Sequence, residues 1–234
     1  MARLRICYLL KLEGGGLWGS GKGLLEANVV TTACRHARGG EVLCIPHTYI
    51  KGVLRRAAEE VFDHLTRVGI VQSRDIILKV FGPLTPFSDK VAVVPSPTMF
   101  GPLYPVKDVE SAKALANDEP MAYLFKDSTL LSPSTYIEPH VRLDDRCARA
   151  AKGALFKELR VAPATLFYGE IMYESADFSE LTDVARLLTI AIAMLRYKYV
   201  GRRSSAKSYI LKIEPPDIAE DENVKYVLSV TQVS

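Results

Sequence analysis

Residues 14–23 read GGGLWGSGKG. Within them Gly16, Gly21 and Lys22 satisfy the G-x-x-x-x-G-K spacing by which a loop wraps nucleotide phosphates. That chemistry needs two further features: a Ser or Thr hydroxyl after the lysine to hold Mg²⁺, and a helix whose N-terminus faces the phosphates. Gly23 stands where the hydroxyl should be, and the chain runs on into Val29, Val30, Thr31 and Thr32, a β-branched run suited to a strand. The spacing therefore does not make a nucleotide hydrolase. Lys22 and its glycines need another use.

A second grouping offers metal donors. Cys34-x-His36 and Cys44-x-x-His47 flank Gly39-Gly40, so a hairpin turn there would gather two thiols and two imidazoles, a donor set known for structural zinc. The C-x-H half is shorter than usual zinc spacings, and packed Cys and His side chains are the alternative. The four cysteines show no framework spacing, which predicts a reduced, intracellular protein. Among His36, His47, His64 and His140, His47 is the best placed for general acid–base work, because it stands beside a helix start. His64 falls near the end of that helix.

These side chains depend on the elements that carry them. In residues 3–12, Leu4, Ile6, Tyr8, Leu10 and Leu12 share one face and Arg3, Arg5 and Lys11 the other, the pattern of a half-buried strand. Strand-like segments at 28–33 and 41–45 follow, with a turn at 38–41 between them. From Ile50 the period changes. Ile50, Val53, Leu54, Ala57, Ala58, Val61, Phe62 and Leu65 make the stripe of an amphipathic helix, with Thr48 as its cap and Gly69 as its end. Lys51, Arg55 and Arg56 lie in its first turns, where cations oppose the helix dipole unless an anion lies nearby. Plain solvated charge is the alternative.

Later, residues 164–173 read as a strand. Asp177 or Ser179 caps a second helix striped by Leu181, Val184, Ala185, Leu188, Ala191, Ile192 and Leu195, and residues 207–213 and 225–232 read as closing strands. Strands with two helices over one face predict an α+β fold: a ferredoxin-like antiparallel sheet with a large insertion. Nine of the 13 prolines fall in residues 83–139, too dense for a packed sheet. That span is expected to be an irregular insertion on a core of residues 1–82 and 140–234. Tyr104 and Tyr123 within it could stack on bases or pack the insertion down.

Across 234 residues, 48% hydrophobic and 24% charged, the composition is that of a soluble globular chain. Thirty basic against 27 acidic residues, net +3, permit nucleic acid without demanding it. The apolar run at 187–195 is too short to span a membrane, and no secretory leader is visible. A cytoplasmic protein is expected, with no membrane partner.

The order of these parts resembles the RAMP superfamily, the RNA-binding subunits of CRISPR effector complexes. Ile45-Pro46-His47-Thr48-Tyr49-Ile50-Lys51-Gly52-Val53-Leu54-Arg55 is similar to its I-P-G-S-S-L-K-G-x-x-R segment, and Lys79-Val80-Phe81-Gly82 to its F-G element. His140-Val141-Arg142-Leu143-Asp144, Gly153-Ala154-Leu155-Phe156 and Pro163-Ala164-Thr165-Leu166-Phe167 resemble the I-D, G-x-L-F and P-x-G-T-x-F series of type III backbone subunits. Residues 83–139 fall where that family places its thumb. Three departures stand out: His47-Thr48-Tyr49 replaces G-S-S, Ala164 replaces a glycine, and residues 201–208 carry cations where many members have a glycine-rich loop.

The resemblance implies that the sheet is a modified ferredoxin-like, RNA-recognition-motif-like one, in a prokaryotic subunit that stacks with copies of itself and other effector subunits along a guide CRISPR RNA, for recognition of complementary single-stranded target RNA. It implies phosphate contacts at Lys22, His47, Thr48, Lys51, Gly52 and Arg55, and at Arg202, Arg203 and Lys207, with no metal required for binding. RNA-cleaving members carry an aspartate between the first strand and the hairpin. Glu26 matches it, one methylene longer, so a metal-dependent endoribonuclease using Mg²⁺ or another divalent ion is the alternative. A ferredoxin-like interaction domain without RNA is the third reading.

Overall fold

The structure, a computed structural model, describes residues 2–19, 29–31, 33–35, 41–73, 75–83, 96–118, 134–143, 150–202 and 204–232. In chain order the elements are β1 (Ala2–Leu12), β2 (Val29–Val30), β3 (Ala33–Arg35), β4 (Glu41–Leu43), α1 (His47–Arg67), α2 (Ile76–Phe81), β5 (Thr98–Phe100), β6 (Tyr104–Val106), α3 (Val109–Ala116), β7 (Thr135–Leu143), β8 (Ala150–Val161), β9 (Leu166–Ser175), α4 (Phe178–Met194), β10 (Ala206–Glu214), α5 (Pro216–Ala219) and α6 (Glu222–Val230). The fold is mixed, with helices packed on antiparallel sheets.

The central sheet runs β10-β1-β9-β5, and β6 joins β9 further along the same edge. All of its pairings are antiparallel. β1 lies in the middle, and its alternation decides the layers. Leu4, Ile6, Tyr8, Leu10 and Leu12 enter one core with Ile50, Val53, Leu54 and Ala57 of α1 and Leu181, Val184, Leu188 and Ile192 of α4. The opposite face of β1 is also covered: Cys7 and Leu9 are buried with Val106, Tyr168, and Ala112 and Ala116 of α3. The half-buried strand expected from the pattern is therefore buried on both faces along its middle. Arg5 survives there because it bonds Asp118 and Glu170, each at 2.8 Å, and Glu214 at 3.4 Å. A charge removed from water needs such partners.

α1 ends at Val68 with Gly69 at φ +74°, the left-handed turn that glycine adopts at no steric cost. α4 is capped by Asp177, which accepts the Ser179 amide at 2.9 Å. Three expectations need correction. Residues 225–232 are not a strand, because α6 covers most of them. Asp221 accepts the Asn223 and Val224 amides, and Val224 and Val227 bury one helical face, which overrides the β preference of valine. Second, the proline-rich span is not irregular at 98–116: β5 and β6 pair with β9, and α3 roofs the second core. Pro105 fits because β6 is a short edge strand, and Pro97 and Pro102 fall just outside β5 and β6. Third, Cys34 and Cys44 are joined as a disulfide beside the β3–β4 hairpin, so these two are not the reduced thiols expected. Among the described residues, no helix is long and apolar enough to cross a membrane.

β7 and β8 form a separate antiparallel ribbon, joined by β2 in parallel. It meets the glycine-rich loop, which is where the candidate site begins.

Candidate nucleic-acid interface

After β1 the chain turns through Gly14–Gly16 and bonds across to the end of β8. Gly16 donates to the Val161 carbonyl at 3.0 Å and accepts from the Val161 amide at 2.8 Å. The glycines here answer to close packing. A Cβ on Gly15 would overlap the Tyr136 hydroxyl, and one on Gly16 would lie 2.6 Å from the Trp18 ring. Trp18 is buried with its edge against Phe167, ring centroids 5.6 Å apart. Residues 14–18 are thus a seated segment of the core wall.

α1 starts directly opposite. Pro46 takes the cap position, its carbonyl accepting from Tyr49 at 3.0 Å and Ile50 at 3.1 Å. No side chain caps the helix and no acidic residue lies in its first turn. Thr48 is therefore not the cap that its position suggested. It stands exposed inside the first turn, where amides without carbonyl partners favour an anion.

A third segment closes the arrangement. Gly201, at φ +96°, donates its amide to the Tyr49 hydroxyl at 2.8 Å, and the Arg202 amide donates to the Leu17 carbonyl at 3.0 Å. Leu17, Trp18 and Gly19 from the loop, Pro46, Thr48 and Tyr49 from α1, and Gly201 and Arg202 together line an open cleft of about 610 Å³.

Arg202 is held by a charge network on the β7–β8 ribbon. Its Nη1 donates to Oε1 of Glu158 at 2.8 Å, and Glu158 is only 2% exposed. Arg160 donates to the Arg202 carbonyl at 2.8 Å and to Glu138 at 2.6 Å. His140 stacks on Phe156, with Nε2 3.2 Å from Glu158 and 3.4 Å from Glu138. The donors of Glu138, His140 and Glu158 lie close enough together for a metal ion. Both carboxylates are already paired with guanidinium groups, however, and a divalent ion would add charge beside two cations. The network is better read as a mount for Arg202, whose side chain stays 60% exposed with donors left for an anion.

The remaining site residues divide. His47 and Gly52 are exposed on α1, and a Cβ on Gly52 would meet nothing within 4 Å. Lys51 sits one turn inward, its Nζ 5.7 Å from the Phe100 ring centroid. Arg55 departs from expectation: its Nε bonds Glu59 at 2.7 Å and its Nη1 the Gly82 carbonyl at 3.0 Å. It ties α1 to the end of α2 and is not presented to a ligand. Lys207 is half exposed on β10, 3.5 Å from Glu13. Lys22, Glu26, Arg203, His36 and Tyr123 lie outside the described residues. The zinc alternative loses its two thiolates, since Cys34 and Cys44 are bonded to each other. Tyr104 lies in β6 opposite Tyr168, which favours packing over stacking.

Trp18, Tyr49, Glu158 and Arg160 escaped sequence reasoning. The one tryptophan of the chain, set among glycines, was the single available signal.

No protein-family model and no curated protein matches the sequence. Solved structures do share the fold. A chain of the type III-B Cmr-beta complex, determined by cryo-EM in the apo state, superposes with a TM-score of 0.58 at 14% identity, over 89% of this chain and 97% of that one. A chain of the type III-B Cmr-beta bound to cognate target RNA gives 0.52 at 13% identity, over 87% and 96%. At such identities the likeness is one of fold.

Proposed function

We propose that this chain is an RNA-binding subunit of a type III CRISPR effector complex, holding guide RNA in a subunit filament so that complementary target RNA can pair with it. The observation that carries the proposal is the convergence of three remote segments on one cleft: the glycine-rich loop, the uncapped start of α1, and Gly201-Arg202. The first turn of α1 supplies amides and the dipole, and Arg202 supplies a mounted guanidinium. Both suit a phosphate. Gly52 leaves the outer face of α1 flat where a backbone could approach.

The chain order β1-α1-β5-β6-β9-α4-β10 and the sheet order β10-β1-β9-β5 support reading the core as a modified ferredoxin-like fold. Its structural neighbours come from type III-B complexes, one of them bound to target RNA, which supports guide and target RNA, other effector subunits and copies of itself as partners. Arg55 leaves the phosphate set because it is engaged internally; His47, Thr48, Lys51, Gly52, Arg202 and Lys207 remain in it, with Lys22 and Arg203 carried from the sequence.

The test is equilibrium binding of single-stranded RNA to the purified chain across a salt series. Affinity should fall steeply as salt rises, and Lys51→Ala and Arg202→Ala should each reduce the logarithmic salt slope by about 1. If neither substitution changes affinity or slope, the cleft is not the RNA site. Metal-dependent cleavage of target RNA through Glu26 is a separable part of the proposal. Glu26→Ala should abolish cut products with binding intact, and undiminished cleavage would remove Glu26 from the chemistry.

A further inference from the structure

Between Asp183 and Glu214 the chain has no acidic residue, yet it carries seven cations: Arg186, Arg196, Lys198, Arg202, Arg203, Lys207 and Lys212. Two tyrosines are set among them in Arg196-Tyr197-Lys198-Tyr199-Val200-Gly201-Arg202. Tyr197 is 72% exposed and Tyr199 74%. Leaving two large aromatic side chains in water forgoes most of the energy their burial would supply. The segment is nevertheless well anchored. Leu195 and Val200 are fully buried, Lys198 forms an ion pair with Glu60 of α1, and the Val200 amide donates to the Ser204 carbonyl at 2.8 Å.

The backbone sets the spacing of the two tyrosines. Lys198 is extended, with φ −117° and ψ 152°, between Tyr197, which ends a single 3-10 turn, and Tyr199, which bridges to Ser205. Lys198 pairs with Glu60 at the surface, and both tyrosine side chains stand in solvent, Tyr197 at the rim of the groove between α4 and α6. Two residues of extended chain span about 6.6 Å, close to twice the ~3.4 Å step between stacked nucleotides. The Arg196 guanidinium lies 5.9 Å from the Tyr197 ring centroid. Among the described residues no carboxylate pairs with Arg196.

We infer that Tyr197 and Tyr199 form a stacking platform for unpaired bases of single-stranded RNA, beside the phosphate cleft that begins two residues later at Gly201. This rests on the RNA-binding reading and adds to it the group recognised: aromatic base faces rather than phosphate alone. Aromatic rings interleaved with cations, without a carboxylate in the segment, complement a polyanion carrying flat bases. The contact is tolerant of sequence, because every base offers a π-face.

The experiment uses the full chain and a single-stranded RNA containing 2-aminopurine, read by affinity and by quenching of that base. Replacing both Tyr197 and Tyr199 by Ala should weaken binding by about 10- to 100-fold and restore 2-aminopurine fluorescence, with the salt slope unchanged because no charge is removed. The double Phe variant should bind within about threefold of the parent, since the stacking face is kept. RNA binding by the parent that the double Ala variant leaves within about twofold, or a Phe variant as weak as the Ala one, overturns this inference alone. Failure of the parent chain to bind RNA at any salt overturns the RNA-binding reading and the platform with it.

Discussion

The hydroxyl oxygen of Tyr49 accepts the amide of Gly201 at 2.8 Å, across 152 residues of chain. This bond joins the first turn of α1 to the loop that carries Arg202. Tyr49 and Gly201 both line the cleft between them.

Removing that hydroxyl leaves the buried Gly201 amide without its partner. Tyr49→Phe should lower the unfolding free energy by about 1–2 kcal/mol, read as a shifted denaturant midpoint at constant m. RNA affinity should fall as well, because Arg202 loses part of its mooring. A variant of unchanged stability would show that the bond carries little.

Gly52 lies inside α1, and no neighbour fills the space beside it. A glycine there costs about 1 kcal/mol relative to alanine, and nothing within the described molecule requires it. Gly52→Ala should therefore raise the melting temperature while weakening RNA binding. A more stable variant with undiminished affinity would mean that no partner approaches this face.

Arg55 and Arg202 should separate cleanly. Arg55 bridges Glu59 and the Gly82 carbonyl, so Arg55→Ala should cost about 1–2 kcal/mol of stability and leave the salt slope of RNA binding alone. Arg202→Ala should do the reverse on the slope. Finding both effects exchanged would reverse the roles assigned to the two side chains.

Acid should act through α6. Hydrogen bonds from Arg186, at 2.6 and 3.1 Å, hold the Asp221 carboxyl below the usual carboxylate range, with help from the Val224 and Asn223 amides. A depressed folded pKa stabilises above the unfolded value of about 3.9, and that stability is lost as pH falls through the folded value. Asp221→Asn should cost about 1–2 kcal/mol at neutral pH, through the weakened cap and lost ion pair. It should also flatten the stability profile below about pH 4. Parallel acid limbs for variant and parent would place the titrating group elsewhere.

Much of the frame was legible because it follows from local periodicity. The alternation of Leu4 to Leu12, the stripe from Ile50 to Leu65, the glycine that ends α1 and the stripe of α4 all reappear. The misreadings share a cause. Residues 225–232 read as a strand, but Asp221 caps a helix there and Arg186, 35 residues away, holds Asp221 in place. The prolines suggested an insertion, yet the chain around Pro105 finds an open edge on β9. Cys34 and Cys44 have no telling spacing until the β3–β4 hairpin brings them together.

The candidate site divides in the same way. Residue type and order alone determined that cations cluster at the start of α1 and between Asp183 and Glu214, that glycines crowd the loop after β1, and that α1 begins without an acidic turn. Which of those cations face a ligand was decided by tertiary contacts. Glu59 and the Gly82 carbonyl withdraw Arg55, while Glu158 mounts Arg202 with its outer edge in solvent. The cleft has no local signature, because Leu17, Tyr49 and Arg202 become neighbours only when β1, α1 and the loop before β10 close over one core. Local propensity acts within a few residues; hydrogen bonds between segments more than a hundred residues apart exist only once that core has formed.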